Sequence, residues 1–225
     1  MFWKKYSIYD LRKKLPARFE DIKNSFAQYR KNFKILIVDD KHVIFSDTLK
    51  SLGYCVHEEI DIKMIDEAMR FDLVLCDKQG VGGLMGAKGE GVFLAKKIKE
   101  ANPFLPVILY SSATFTLDDY EAIRSLDDII SDAPDPETFA NYVDGHIKKL
   151  LDPYAQWQRL HIELVKMGFA SQDIRKVESD YVKQIINTSA YQVPESMLVS
   201  IFKTIGKDIV LKFAEQVVFH LLSSN

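Results

Sequence analysis

Ile35-Leu36-Ile37-Val38-Asp39-Asp40 and Leu73-Val74-Leu75-Cys76-Asp77 decide the fold of this chain. Each is a run of four apolar residues that stops at carboxylates. A short apolar run without alternation is a strand buried on both faces, of the kind found in a parallel sheet covered by helices. The carboxyl ends of such strands are where open parallel sheets place their chemistry. If the two strands are neighbours, Asp39, Asp40 and Asp77 meet in one crevice. Their mutual repulsion must then be relieved by raised pKa values or by a cation, and Mg2+ suits a set of hard oxygen donors.

Working outward, Pro106-Val107-Ile108-Leu109-Tyr110 is a third strand, ending at Ser111-Ser112, and Asp128-Ile129-Ile130-Ser131 a fourth, ending at Asp132. Cys55-Val56-His57 is a weaker fifth. Helical patterns fall between them over about 42–52, 62–70, 91–101 and 117–126, closed by Gly53 and Pro103 where those residues follow. Asp135 caps a last helix with Pro136 in its first turn, and Phe139, Tyr142, Val143, Ile147 and Leu150 form its apolar stripe. The expected fold class is α/β: a doubly wound, five-stranded parallel sheet over 34–151, with a basic helical N-terminal arm over 1–33 and an all-helical region over 152–225.

With these landmarks in order, residues 34–151 resemble the receiver domain of two-component response regulators. Asp39-Asp40 match the acidic pair, Asp77 the phosphoacceptor, Ser111 the hydroxyl residue after the next strand, and Glu90-Gly91 the acidic-glycine step that opens the following helix. The resemblance implies that Asp77 takes a phosphoryl group from a sensor histidine kinase. It also implies Mg2+ held by Asp40, Asp77 and the backbone carbonyl of Gln79, with Asp39 acting through water. On this reading the chain is a signalling protein and not an enzyme.

The sequence departs from the pattern in three places. Counting back from Asp135-Pro136 puts Asp132 where receivers carry a lysine, and no lysine occurs between Lys99 and Lys148. A carboxylate there makes the pocket more negative and opposes a dianionic aspartyl phosphate. The switch aromatic position falls on Ile129. The loop 79–91 holds six of the chain's ten glycines, and is a candidate lid, with Lys88 as a substitute cation. These departures leave open a degenerate receiver that serves as a phosphorylation-independent interaction module. A third reading is an Mg2+-dependent phosphatase, because Asp77-Lys78-Gln79-Gly80-Val81 also resembles the nucleophile motif of haloacid dehalogenase-like phosphatases. There Gln79 stands in place of the general-acid aspartate.

Charge is uneven along the chain. Residues 1–33 carry nine Lys or Arg against three acids, residues 34–150 carry 13 against 21, and residues 151–225 eight against eight. A helix over about 18–30, with Phe19, Ile22, Phe26 and Tyr29 at helical spacing, is expected to pack on the acidic sheet domain. The C-terminal region, neutral overall and without a helix-turn-helix pattern, is expected to work by protein contact and homodimerisation instead of DNA binding. Its apolar stripes from Met197 to Leu222 are the expected dimer seam. Two cysteines, both in strands, suggest a reduced, cytoplasmic protein with buried thiols. No run reaches the length of a membrane span. His42, His57, His146, His161 and His220 show no paired ligand spacing.

Overall fold

The computed structural model of the chain describes residues 6–16, 20, 24–86, 90–112, 114–116, 119–120, 123–131, 134–187 and 212–213. The chain divides into two compact units, Ala27–Ile147 and the pair Met1–Phe26 with Lys148–Asn225. No described helix is long and apolar enough to cross a membrane.

Five strands build the first unit: β1 (Lys34–Val38), β2 (Cys55–Glu59), β3 (Leu73–Asp77), β4 (Val107–Ser111) and β5 (Asp128–Ser131). All neighbours are parallel and the order is β2-β1-β3-β4-β5. The expected doubly wound sheet is therefore present, and β1 and β3 are adjacent. Alternate residues of the central strands bury themselves on opposite faces. Leu36, Val38, Val74, Cys76, Val107 and Leu109 form one core with Leu94, Ala95 and Ile98 of the helix Glu90–Ala101. On the other face Tyr110 meets Phe45 and Phe139 edge-on, and these two rings stack with centroids 3.8 Å apart. Phe45 lies on the helix Ile44–Ser51 and Phe139 on the helix Pro136–Leu151.

Two expectations are corrected. The helix expected over 62–70 is a single turn, Ile65–Ala68. The Glu67 carboxylate accepts the N–H groups of Lys63 and Met64, which fixes an extended entry and starts the helix late. Cys55, expected to be buried, is exposed because β2 is an edge strand, whereas Cys76 is buried. Of the helix expected over 117–126, residues 119–120 are helical and 123–125 form a turn, while 117–118 and 121–122 lie outside the described residues.

Arg30, just before β1, donates from Nε at 3.2 Å and from a terminal nitrogen at 2.5 Å to the two oxygens of Asp144. Tyr54 Oη donates to the same carboxylate at 2.6 Å. Asp144 is a buried charge, and these three donors are what make it tolerable there.

Numbered in chain order, the helices are α1 (Ile8–Lys14), α2 (Phe26–Tyr29), α3 (Ile44–Ser51), α4 (Ile65–Ala68), α5 (Glu90–Ala101), α6 (Pro136–Leu151), α7 (Pro153–Lys166) and α8 (Ser171–Asn187). In the second unit α1 packs on α7 and α8. The Ile8 N–H donates to Glu178 at 2.7 Å, the Tyr6 N–H donates to Ser179 Oγ at 3.3 Å, and the Arg12 guanidinium lies 4.5 Å from the centre of the Tyr154 ring. Asp152 caps α7, and Tyr181 Oη donates to the carbonyl of Pro153 at 2.8 Å. The described residues of 152–225 are thus helical apart from short connections, and Gly168 ends α7 in a left-handed conformation at φ +79°. The stripes of 197–222, apart from the buried Phe213, lie outside the described residues, as do 17–19 and 21–23 of the N-terminal arm.

Candidate functional site

The register of the sheet assembles the acidic site. Val38 pairs with Cys76 across β1 and β3, so Asp39 and Asp77, each one residue further on, sit side by side at the carboxyl edge. Asp39, Asp40 and Asp77 each bring an oxygen to within 4.8 Å of the others. Asp40 is exposed and the other two are half-buried.

Burial raises the pKa of Asp77 to about 6, and the charge of Asp39 adds to this. The nearby backbone N–H groups of Lys78 and Gln79 oppose the shift, although the Lys78 N–H itself donates to the Tyr110 carbonyl at 2.9 Å. A cation that offsets the neighbouring charge favours the ionised form of such a group. Asp39 is itself oriented: its Oδ1 accepts the Lys41 N–H at 2.8 Å and its Oδ2 accepts the Tyr110 hydroxyl at 2.6 Å. Burial followed by the Asp39 contact pushes the Tyr110 phenol well above its ordinary range, so it stays protonated and donates.

Glycines let the next loop approach. Gly80 has φ +77°, and a Cβ built there falls 2.6 Å from Cγ of Asp40. Gly91, at the start of α5, is required more absolutely, because its Cβ would lie 1.7 Å from the carbonyl oxygen of Asp77. With any side chain at 91, the helix could not seat against the end of β3. The three carboxylates are hard oxygen donors, the set preferred by Mg2+ or Mn2+ over softer metals.

Ser111 closes β4, one position beyond Tyr110, which pairs with Asp77. It is buried and pairs in register with Ser131 of β5. Asp132, the residue at the expected lysine position, and Lys88, the candidate lid cation, lie outside the described residues. Ile129 is an inner residue of β5, half-buried against the α5-side core.

Three participants escaped the sequence reading. Tyr110 reads in the sequence only as a strand residue, and its hydroxyl reaches Asp39 from 71 positions away. Lys78, next to Asp77, sends its ammonium to Asp119 at 2.7 Å and to the carbonyl of Thr114 at 3.0 Å, over the ring of Phe115. Asp61 accepts backbone N–H groups of the glycine-rich loop. The adjacency of Lys78 to Asp77 was a visible signal. For Tyr110 and Asp61 the local sequence carries none.

No family model matches the sequence, and no curated protein matches it. Solved structures do. A CheY-like response regulator receiver domain protein from Methanospirillum hungatei is 20% identical, with 52% of this chain and 94% of that chain covered and a TM-score of 0.43. The BeF3-activated receiver domain of DrrB, a Thermotoga maritima protein, is 24% identical over 52% of this chain and 97% of that one, with a TM-score of 0.40. The receiver domain of NtrX from Brucella abortus is 24% identical over 49% and 94%, with a TM-score of 0.39. Over residues 34–131 this chain carries a doubly wound α/β sheet, five parallel strands in the order β2-β1-β3-β4-β5 with three carboxylates at the carboxyl edge.

Proposed function

We propose that this chain is a response-regulator-like signalling protein in which Asp77 accepts a phosphoryl group from a histidine kinase. One observation carries the reading: the oxygens of Asp39, Asp40 and Asp77 converge within 4.8 Å at the ends of adjacent parallel strands. In the reaction a carboxylate oxygen of Asp77 attacks phosphorus, the phosphorus–nitrogen bond of the donor breaks, and the donor imidazole keeps the electron pair and takes a proton. Asp40, Asp77 and the Gln79 backbone would hold Mg2+, with Asp39 beside them, and the ion would supply neutralisation of the gathered negative charge. The chain's own contribution is orientation. Tyr110 holds Asp39, the pairing of β3 with β4 holds Asp77 beside Tyr110, and the Ser111 hydroxyl contacts a phosphoryl oxygen.

Output is proposed to pass through protein contacts of the C-terminal helices, with a homodimer as the working form. A second reading, an interaction module that is never phosphorylated, is favoured by one contact. Lys78, the cation beside Asp77, is engaged by Asp119 and Thr114, leaving the acceptor without it. The phosphatase reading has less support, since the Gln79 amide cannot serve as a general acid.

Incubation of the full chain with Mg2+ and a small phosphoryl donor tests the proposal. A mass increase of one phosphoryl group that is absent from Asp77→Asn supports it. An unmodified wild-type protein, at donor concentrations that modify a known receiver, refutes phosphorylation and leaves the interaction module.

A further inference from the structure

The glycine-rich loop, read from sequence as a mobile lid, is tied down over its described part. After β3 the chain passes through Gly80, Gly82 and Gly86, all left-handed, with φ of +77°, +85° and +70°. A Cβ on Gly82 would lie 2.9 Å from the carbonyl oxygen of Glu90, so the start of the loop runs backbone to backbone against the start of α5. The path is held from the other side by Asp61, in the turn after β2. Asp61 Oδ1 accepts the N–H of Gly82 at 2.7 Å and that of its neighbour Ile62 at 2.8 Å. Its Oδ2 accepts the N–H of Leu84 at 2.9 Å. The two loop partners are 21 and 23 positions away in the chain, so this is a tertiary clamp and not a local turn.

The residue type matters. An ionised carboxylate has acceptors only, and here both oxygens face backbone donors. Bonds from N–H groups to a charged acceptor are about twice as strong as neutral ones. The clamped loop begins at Gln79-Gly80, and Gly80 lies against the carboxylate of Asp40. Whatever fixes Gly82 and Leu84 therefore also fixes the backbone that faces the acidic site.

We infer that Asp61 is a positioning residue of the acidic crevice: it clamps the glycine-rich loop so that the Gln79-Gly80 backbone stays against Asp40, and it sets cation affinity without touching the cation. The inference rests on the cation-binding reading of the Asp39, Asp40 and Asp77 site. Removing such an outer partner typically costs ten- to a hundredfold in metal affinity.

The test uses the full chain in four forms: wild type, Asp61→Asn, Asp61→Ala and, as a control, Asn102→Ala. Asn102 accepts the Phe104 N–H at 3.0 Å before the amino end of β4, at the far edge of the sheet. Amide exchange at Gly82 and Leu84 reads the clamp, and titration with Mn2+ reads the site. Asp61→Ala should speed exchange at both amides about tenfold and weaken Mn2+ binding about tenfold or more. Asp61→Asn, which keeps one acceptor oxygen, should free Leu84 more than Gly82 and weaken Mn2+ by less. Asn102→Ala should bind Mn2+ as wild type does. Unchanged exchange in Asp61→Ala overturns the clamp. Faster exchange with unchanged Mn2+ affinity overturns the positioning role, as does an equal loss in Asn102→Ala, which would mark a global effect. A wild-type protein that ignores Mn2+ overturns the cation reading instead, and the exchange data then still decide the clamp.

Discussion

Asp77→Asn, in chelator, should stabilise the sheet unit, by an amount that depends on pH. The variant keeps the shape of the side chain and removes the charge that burial and Asp39 disfavour. A carboxyl that titrates at about 6 instead of 3.8 is destabilised in its ionised form by about 3 kcal/mol when fully shielded, at ~1.4 kcal/mol per pH unit. Asp77 is only half-buried, so solvent screening reduces the expected value to about 1–2 kcal/mol. The folded-state value is raised, so wild type holds this stability below the unfolded value and loses it as pH rises through about 6. Asp77→Asn has nothing to lose over that window. Its melting temperature should exceed that of wild type by about 2–8 °C at pH 8 and match it near pH 4. Saturating Mg2+ should reverse the order at pH 8, because mass action favours only the protein that keeps its ligands. Thermal melts at four pH values, with and without Mg2+, read all of this. A variant no more stable than wild type at pH 8 in chelator, or a gain that is the same at pH 4, refutes the electrostatic account of the site.

Three further outcomes are expected. Gly80→Ala forces a non-glycine residue to φ +77° and drives a methyl into Asp40, costing about 1–2 kcal/mol for the left-handed backbone alone. It should also weaken Mn2+ binding beyond any fold-wide effect, which calorimetry on folded protein at low temperature checks. Arg30→Met leaves the buried Asp144 charge with only the Tyr54 donor, and urea unfolding should report a loss of about 3–5 kcal/mol. Leu11→Ala opens a hole where a fully buried side chain joins α1 to the C-terminal helices. A loss of about 2–5 kcal/mol should appear as faster amide exchange in α7 and α8 while the β3 amides keep their protection.

How much of this was legible in the sequence follows from the range of each interaction. Apolar runs, their carboxylate ends and the glycine and proline boundaries are local, and they determined the five strands, the doubly wound sheet and the acidic trio. The meeting of Asp39, Asp40 and Asp77 depended on the two strands being neighbours, and the register, with Val38 beside Cys76, makes them so. The length of α4 was misread because its start is fixed by the Glu67 side chain folding back on Lys63 and Met64, and a helical period does not report such a cap.

Other features were decided by tertiary structure alone. Nothing near Asp61 announces that it will receive the amides of Gly82 and Leu84, and nothing near Tyr110 announces Asp39. Nor does the spacing of Arg30 reveal Asp144, 114 positions away. The sequence also separated the N-terminal arm from the C-terminal helices, which fall in one unit with α1 packed on α7 and α8. Periodicity states which face of an element is apolar and leaves open which other apolar face covers it. By itself, then, the sequence determined the sheet and the chemistry at its edge, because strand burial and charge repulsion act over a few residues. Only the tertiary structure decided what orients those carboxylates, because a hydrogen bond requires two groups to meet within about 3 Å, and the crossover connections alone set where distant groups arrive.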